Sequence, residues 1–214
     1  MSNKVKIEKP KIPLDLTPVN FQVTEELFLN MSIISDCSIT QENMEKMTFT
    51  KVIFKNVSFI GVKFKKIDLS DVIFDRCDLS NSDFSEAIIH RTKFKESKIL
   101  GLNLSDSTLR NVLFDTCNAN LSSFGYTNLK QVEFNDCSLC NADFYESTLK
   151  KIVLYNCDLN EVNFGGTSLN GIDISSCRFN RLTVSIEELD GCVVSSEQAI
   201  GFATMLGLKI KELE

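Results

Sequence analysis

The chain has 214 residues, enough for one domain of ordinary size, and 43% of them are apolar, so a continuous core is possible. A net charge of −6 and a pI near 5.0 argue against a basic nucleic-acid-binding surface. Phe is used 16 times while Trp is absent and Pro occurs only 3 times, as if one apolar residue type were being set at a recurring site.

In chain order, residues 1–28 come first as an N-terminal extension or cap. The segment is charged and punctuated by Pro10, Pro13 and Pro18. It holds no apolar run that would serve as a secretory signal. With no stretch approaching a membrane span, the expected location is cytoplasmic, with reduced thiols and no membrane partner. Two readings stand for this segment: a disordered leader, or a cover in which Phe21, Val23, Leu27 and Phe28 close the first coil. Both are expected, divided near residue 18.

Residues 29–194 carry an internal repeat, the feature that decides the fold. Every fifth residue from Leu29 is apolar: Leu29, Ile34, Ile39, Met44, Phe49, Phe54, Phe59, Phe64 and so on to Leu189 and Val194. A second series lies two residues before each of these and is small or β-branched, as at Val52, Val62, Val72, Ala87, Thr127 and Ala142. The rest is mostly polar. A period of five suits neither a helix nor a flat strand, but it suits a chain that turns at each repeat and points two of every five side chains inward. A longer period of twenty is superimposed. Cys117, Cys137, Cys157 and Cys177 recur at it, as do Phe54, Phe74, Phe94, Phe114 and Phe134. Four repeats therefore make one coil, and about eight coils at a spacing of about 4.8 Å predict a rod about 40 Å long.

Segments such as CDLSNSDF (77–84), CNANLSSF (117–124), CSLCNADF (137–144) and CDLNEVNF (157–164) resemble the A(D/N)LXX signature of pentapeptide-repeat proteins. The resemblance implies an all-β fold, a right-handed quadrilateral parallel β-helix, here with a short C-terminal α-helix. Burying one large apolar side chain is worth roughly 1.5–3 kcal/mol. Ordering each backbone residue costs roughly 1–2 kcal/mol. With five residues ordered per large side chain, coil-to-coil hydrogen bonds must contribute, and the open ends need caps.

Residues 195–214 form a C-terminal helix and tail. Ser195 and Gln198 match the S-x-x-Q capping box. Ala199, Phe202, Ala203 and Leu206 follow helical spacing, and Gly207 can end the helix. Leu208-Lys209-Ile210-Lys211 then alternates like a short strand. The helix is either a lid on the last coil or a dimer contact, since Ile200 and Met205 lie off the apolar stripe. Family members resembling this chain dimerise through the C-terminal end, which implies a homodimer interface at Ile200, Phe202, Met205 and Leu206.

No catalytic constellation emerges, and the chain is expected not to be an enzyme. His90 is the only histidine and falls at an outward position, which reads as a solvated surface residue. Seven of the eight cysteines occupy the inward small slot and read as small core hydrophobes. Cys140 points outward, so CSLC does not form a metal or redox pair. No metal and no cofactor is expected.

The charge is unevenly spread. Residues 46–100 carry 11 basic against 7 acidic side chains, whereas residues 104–190 carry 6 against 12. Asp83, Glu86, Asp106, Asp143 and Glu146 share an acidic face, the candidate partner-binding surface. Arg110, Lys130 and Lys150 form a cationic column that needs anionic neighbours or a partner. Ordinary solvated faces are the alternative for both.

The length, the uninterrupted repeat and the ending VVSSEQAIGFATMLGLKI are similar to the Qnr-type quinolone-resistance proteins, in the variety found in Gram-positive bacteria. That resemblance implies a homodimeric rod that imitates DNA, binds DNA gyrase and topoisomerase IV, and protects them from quinolones, with no direct nucleic-acid binding. A generic protein-interaction scaffold with another partner is the alternative. Many members of the subgroup carry loops that interrupt the coils. Here the register never slips from 29 to 194, so contact would have to come from the coil faces or the ends.

Overall fold

The structure is a computed structural model that describes residues 6–20, 27–40, 43–205 and 207–211, without the side chain of Met205. It is the expected right-handed quadrilateral parallel β-helix of about eight coils, closed by one short helix. One side is an eight-stranded parallel sheet in sequential order: β1 (Thr17–Pro18), β2 (Phe28–Ser35), β3 (Thr48–Lys55), β4 (Asp68–Asp75), β5 (Ile88–Lys95), β6 (Thr108–Asp115), β7 (Asn128–Asn135) and β8 (Thr148–Tyr155). From β2 to β8 the residues on either side of the mid-strand corner pair with those twenty positions on, as in Phe49↔Leu69 and Val52↔Val72. Single parallel bridges continue that register on the other sides, Ser38↔Ser58↔Asp78 on one and Asn43↔Lys63↔Asp83 on the next. A two-stranded pair of β9 (Val162–Asn163) and β10 (Leu182–Thr183) and the bridge Asp173↔Val193 carry it to the C-terminal end.

The inward columns form the core. Phe49, Phe54, Phe59 and Phe64 are fully buried, and so are Val52 and Val72 of the second series. Because like residues stack at the coil spacing, Phe74, Phe94, Phe114 and Phe134 lie nearly parallel, with ring centroids 4.6–4.9 Å apart. Phe114 meets Phe124 of the neighbouring column edge-on, at 6.0 Å and 89°. Both arrangements are favourable for aromatic quadrupoles.

The corners follow a rule that the polar positions had hidden. Through most of the coils the residue two places after the large apolar one adopts left-handed backbone, as at Lys51, Asn56, Lys66, Asp71, Arg76 and Asn81 (φ 54–62°). Gly61 and Gly101 take the same place at φ 73° and 65°. Asn, Asp and Gly tolerate this region best, which accounts for much of the polar bias there.

The cysteines need a refined reading. In the small inward slot, a hydroxyl or thiol donates to the carbonyl 23 residues back. Ser122 reaches Ile99 (2.7 Å), Thr127 reaches Leu104 (2.9 Å) and Ser147 reaches Phe124 (2.6 Å). Cys77, Cys117, Cys137 and Cys157 do the same to Phe54, Phe94, Phe114 and Phe134 at 3.3–3.5 Å. They are weak donors holding one coil to the next, as well as small fillers.

Three features of the ends depart from expectation. First, the described part of the leader, from residue 6, is held against the coils. Residues 6–12 lie against the sheet, and β1 pairs with β2 through Thr17↔Ser32 and Pro18↔Ile33. The cover on the first coil is this strand together with half-buried Val19, whose amide donates to the Ile33 carbonyl. Leu27 and Phe28 are exposed instead, and Phe21 and Val23 lie outside the described residues. Second, Leu208–Lys211 pairs with no strand among the described residues and is exposed. Third, Ala199 is exposed, so the inward stripe of α1 (Ser196–Met205) is Gln198, Phe202 and Ala203.

The capping box forms reciprocally: Ser195 N donates to Gln198 Oε1 (2.9 Å) and Gln198 N to Ser195 Oγ (3.2 Å). Gln198 Nε2 also donates to the carbonyls of Ile174 and Cys177, fastening the helix to the last coils. Gly207, at φ 77°, ends the helix by donating to Thr204 O.

Candidate functional site

The five acidic residues do share one side and the corner beside it. Asp83 and Asp143 lie on the side, in the bridged column Asp83↔Asn103↔Ser123↔Asp143↔Asn163. Glu86, Asp106 and Glu146 occupy left-handed corner positions. Their electrostatic settings differ. Glu86 is claimed by Lys65 (2.9 Å) and Lys66 (3.3 Å), whereas Asp83 accepts only the Asn103 side-chain amide (3.0 Å) and the Ser85 backbone amide (2.9 Å) among the described residues. The hydrogen bonds from these lysines hold the Glu86 carboxyl below the ordinary range. Asp106, Asp143 and Glu146 have no ion pair among the described residues. Asn163 donates to Asp143 Oδ1 at 2.8 Å, which orients that carboxylate without neutralising it. Of the five acids only Glu86 is paired among the described residues; Asp83 too lacks an ion pair, and Asp106, Asp143 and Glu146 lie toward the C-terminal part of the face.

Two aromatic residues complete this surface, and they had not been singled out. Tyr126 and Tyr145 are exposed and meet edge-on, with centroids 5.7 Å apart at 81°. Tyr126 stands between Asp106 and Glu146 in the same corner column, so the sequence signal was their shared twenty-residue phase. Gly165 lies against the Tyr145 ring: a Cβ there would come within 3.4 Å of it. Carboxylates interleaved with exposed rings favour a cationic, arginine-rich counterpart, through ion pairing and cation–π contact.

The cationic column lies on the adjacent side. Arg110, Lys130 and Lys150 are paired in register across β6, β7 and β8 and are exposed, with no ion pair among the described residues. Next to it is a cluster that corrects the reading of His90. That residue is half-buried, 3.3 Å from Arg91 Nη1 and 3.4 Å from Asn111 Nδ2. Burial, with Arg91 and Arg110 beside it, lowers its pKa below the ordinary imidazole value.

The residues of the expected dimer contact divide. Ile200 is exposed, whereas Phe202 is half-buried and packs on Phe179 with centroids 5.7 Å apart, serving the lid. The Met205 side chain and Leu206 lie outside the described residues. Among the described residues no group of three or more His, Cys, Asp or Glu side chains could hold a metal ion. No described helix is long and apolar enough to cross a membrane.

Comparison with known proteins gives the following. Residues 67–144 match the model of the pentapeptide repeat region, and residues 137–175 match the model of pentapeptide repeats in 8 copies. The chain is 48% identical over 210 residues to the uncharacterized protein YisX of Bacillus subtilis (strain 168), covering 97% of this chain and 99% of that one. Among solved structures it is similar to a trypsin-treated variant of QnrB1, a plasmid-mediated fluoroquinolone resistance protein. That likeness has 16% identity and a TM-score of 0.42, over 91% of this chain and 95% of that one. It is also similar to HetL from the cyanobacterium Nostoc sp. Strain PCC 7120, with 15% identity and a TM-score of 0.34, over 79% and 85% of the two chains.

Proposed function

We propose, on the premise that the chain belongs to the pentapeptide-repeat family, that it is a non-catalytic cytoplasmic rod that binds type II topoisomerases. In this reading it binds DNA gyrase or topoisomerase IV in place of DNA and protects the enzyme from quinolones, with no cofactor and no direct nucleic-acid contact. The observation that carries the reading is the surface of Asp106, Asp143 and Glu146 with Tyr126 and Tyr145 between them. A DNA-binding saddle is cationic, and this surface offers it anionic and aromatic groups at regular coil spacing.

Charge limits how literal the imitation is. A homodimer joined through Ile200 and its neighbours on α1 would span about 80 Å, a length over which B-DNA carries about 47 charges. Two chains of −6 each carry −12. Shape and a local patch would therefore carry the recognition, and binding should weaken strongly with salt.

The test is gyrase supercoiling in the presence of ciprofloxacin, with and without the protein. Rescue supports the reading, and triple charge reversal at Asp106, Asp143 and Glu146 should abolish it while the rod stays folded. Neither rescue nor inhibition at micromolar protein would sink the topoisomerase assignment. That outcome would favour a scaffold for another partner, a reading supported by the unbroken coil register, which leaves no protruding loop among the described residues between Phe28 and Val193.

A further inference from the structure

The sheet carries an occupant on its outer surface. Residues 6–12 cross it as an extended arm held by three hydrogen bonds. Gln131 Nε2 donates to the Lys6 carbonyl (2.9 Å), the Glu8 amide donates to Asn111 Oδ1 (3.2 Å), and the Lys11 amide donates to Asp71 Oδ1 (2.9 Å). Asp71, Asn111 and Gln131 hold the same position in β4, β6 and β7, and Arg91 fills it in β5. The arm thus runs along the rod axis, across the strands. Its five steps from Lys6 to Lys11 reach about 17 Å when extended, and the three coil intervals beneath span about 14 Å. An extended backbone therefore spans this ladder with about five residues for three coil intervals.

All three bonds go to the arm's backbone, so the floor recognises an extended conformation more than a particular sequence. What side-chain selectivity there is follows from exposure. Ile7, Pro10, Ile12 and Pro13 are half-buried, while Lys6, Glu8, Lys9 and Lys11 face solvent. The floor itself is polar and covered: Asp71 is 4% exposed and Asn111 1%. Their acceptor oxygens would be open to another backbone once the arm left.

We propose that this face is an exchangeable peptide-docking groove. Residues 6–12 are its resident occupant, and an extended segment of a partner protein with apolar residues at the spacing of Ile7, Pro10 and Ile12 replaces them. The arm then acts as a competitor built into the chain, and the groove is independent of the acidic surface discussed above.

The probe is a fluorescein-labelled peptide of residues 1–16, titrated by anisotropy against the full chain and against the full chain carrying Lys11→Pro. Proline at 11 removes the amide that Asp71 accepts and leaves the coils untouched. Freeing the groove should tighten peptide binding by about tenfold or more, since a masked site weakens apparent affinity by the fraction unmasked. Hydrogen exchange at the Glu8 amide should quicken in the same variant. Adding Gln131→Ala, which spares the Asp71–Arg91 pair, should weaken the peptide again. Equal binding to both chains, or none to either, overturns the proposal. So does a Glu8 amide that stays protected in Lys11→Pro, because the arm is then a fixed part of the fold.

Discussion

Asp71 and Arg91, one coil apart in the same position of β4 and β5, meet in a two-pronged ion pair: Nε to Oδ1 at 2.6 Å and Nη2 to Oδ2 at 2.8 Å. The Asp71 side chain is 5% exposed and that of Arg91 18%. The carboxylate also accepts the Lys11 amide, so one residue joins two coils and the N-terminal arm.

Replacing Asp71 with Ala leaves a largely covered guanidinium without its partner and the Lys11 amide without its acceptor. Loss of one member of such a pair costs about 3 kcal/mol. Urea unfolding should show that loss, and Lys51→Ala, at the same position on β3 but without an ion pair among the described residues, should cost under about 0.5 kcal/mol.

Acid should release the arm in two stages. Burial pushes the Asp71 carboxyl up, but hydrogen bonds from Arg91 and the Lys11 amide outweigh it and hold the group below the ordinary carboxylate range. His90 is lowered by burial, then by Arg91 and Arg110, against the opposing pull of Glu8 and Asp71. Both groups bind fewer protons in the folded state, so both contribute stability that is present above their unfolded pKa values and lost on acidification. Exchange protection at the Glu8 and Lys11 amides should first weaken below about pH 6.5 and then further below about pH 4. His90→Gln should remove the first stage and leave the second.

The five buried inward thiols, Cys77, Cys117, Cys137, Cys157 and Cys177, should be inert in the native state. Burial raises Cys77 to about 12, and the neighbouring thiols of Cys117 and Cys137 raise Cys137 and Cys157 to about 12; Cys117 itself is lowered by its hydrogen bond with Cys137 and is shielded by burial alone. Thiolate, not thiol, is the nucleophile. Ellman's reagent at pH 8 should therefore label only the partly exposed Cys37, Cys140 and Cys192 until denaturant is added. Because the inward slot wants a small donor, Cys137→Ser should be tolerated. Ser122→Ala should cost about 1 kcal/mol for its lost bond to the Ile99 carbonyl.

The two apolar residues of α1 should separate association from lid packing. Ile200→Asp places a charge on an exposed position and should yield monomers on sedimentation with an unchanged melting temperature. Phe202→Asp should strip the helix from Phe179 and lower the melting temperature, by about 2–4 °C for each kcal/mol lost. A dimer that persists in Ile200→Asp would place the contact elsewhere.

The sequence alone determined the rod. A five-residue period with two inward positions admits little else, because each large apolar side chain must find the same interior at every turn, and a twenty-residue period puts Phe94 on Phe74 and Cys137 on Cys117. The capping box at Ser195 and Gln198 was legible for the same reason, since its partners lie within one helical turn. Only the tertiary structure decided how charges are shared and where the ends go. Glu86 is neutralised by Lys65 and Lys66 from the coil before it, and Tyr126 comes to stand between Asp106 and Glu146. The arm was the least legible: Glu8 meets Asn111 across 103 residues and Lys6 meets Gln131 across 125. Those bonds run between an aperiodic segment's backbone and side chains at corner positions, and neither hydrophobic periodicity nor local spacing encodes such a contact.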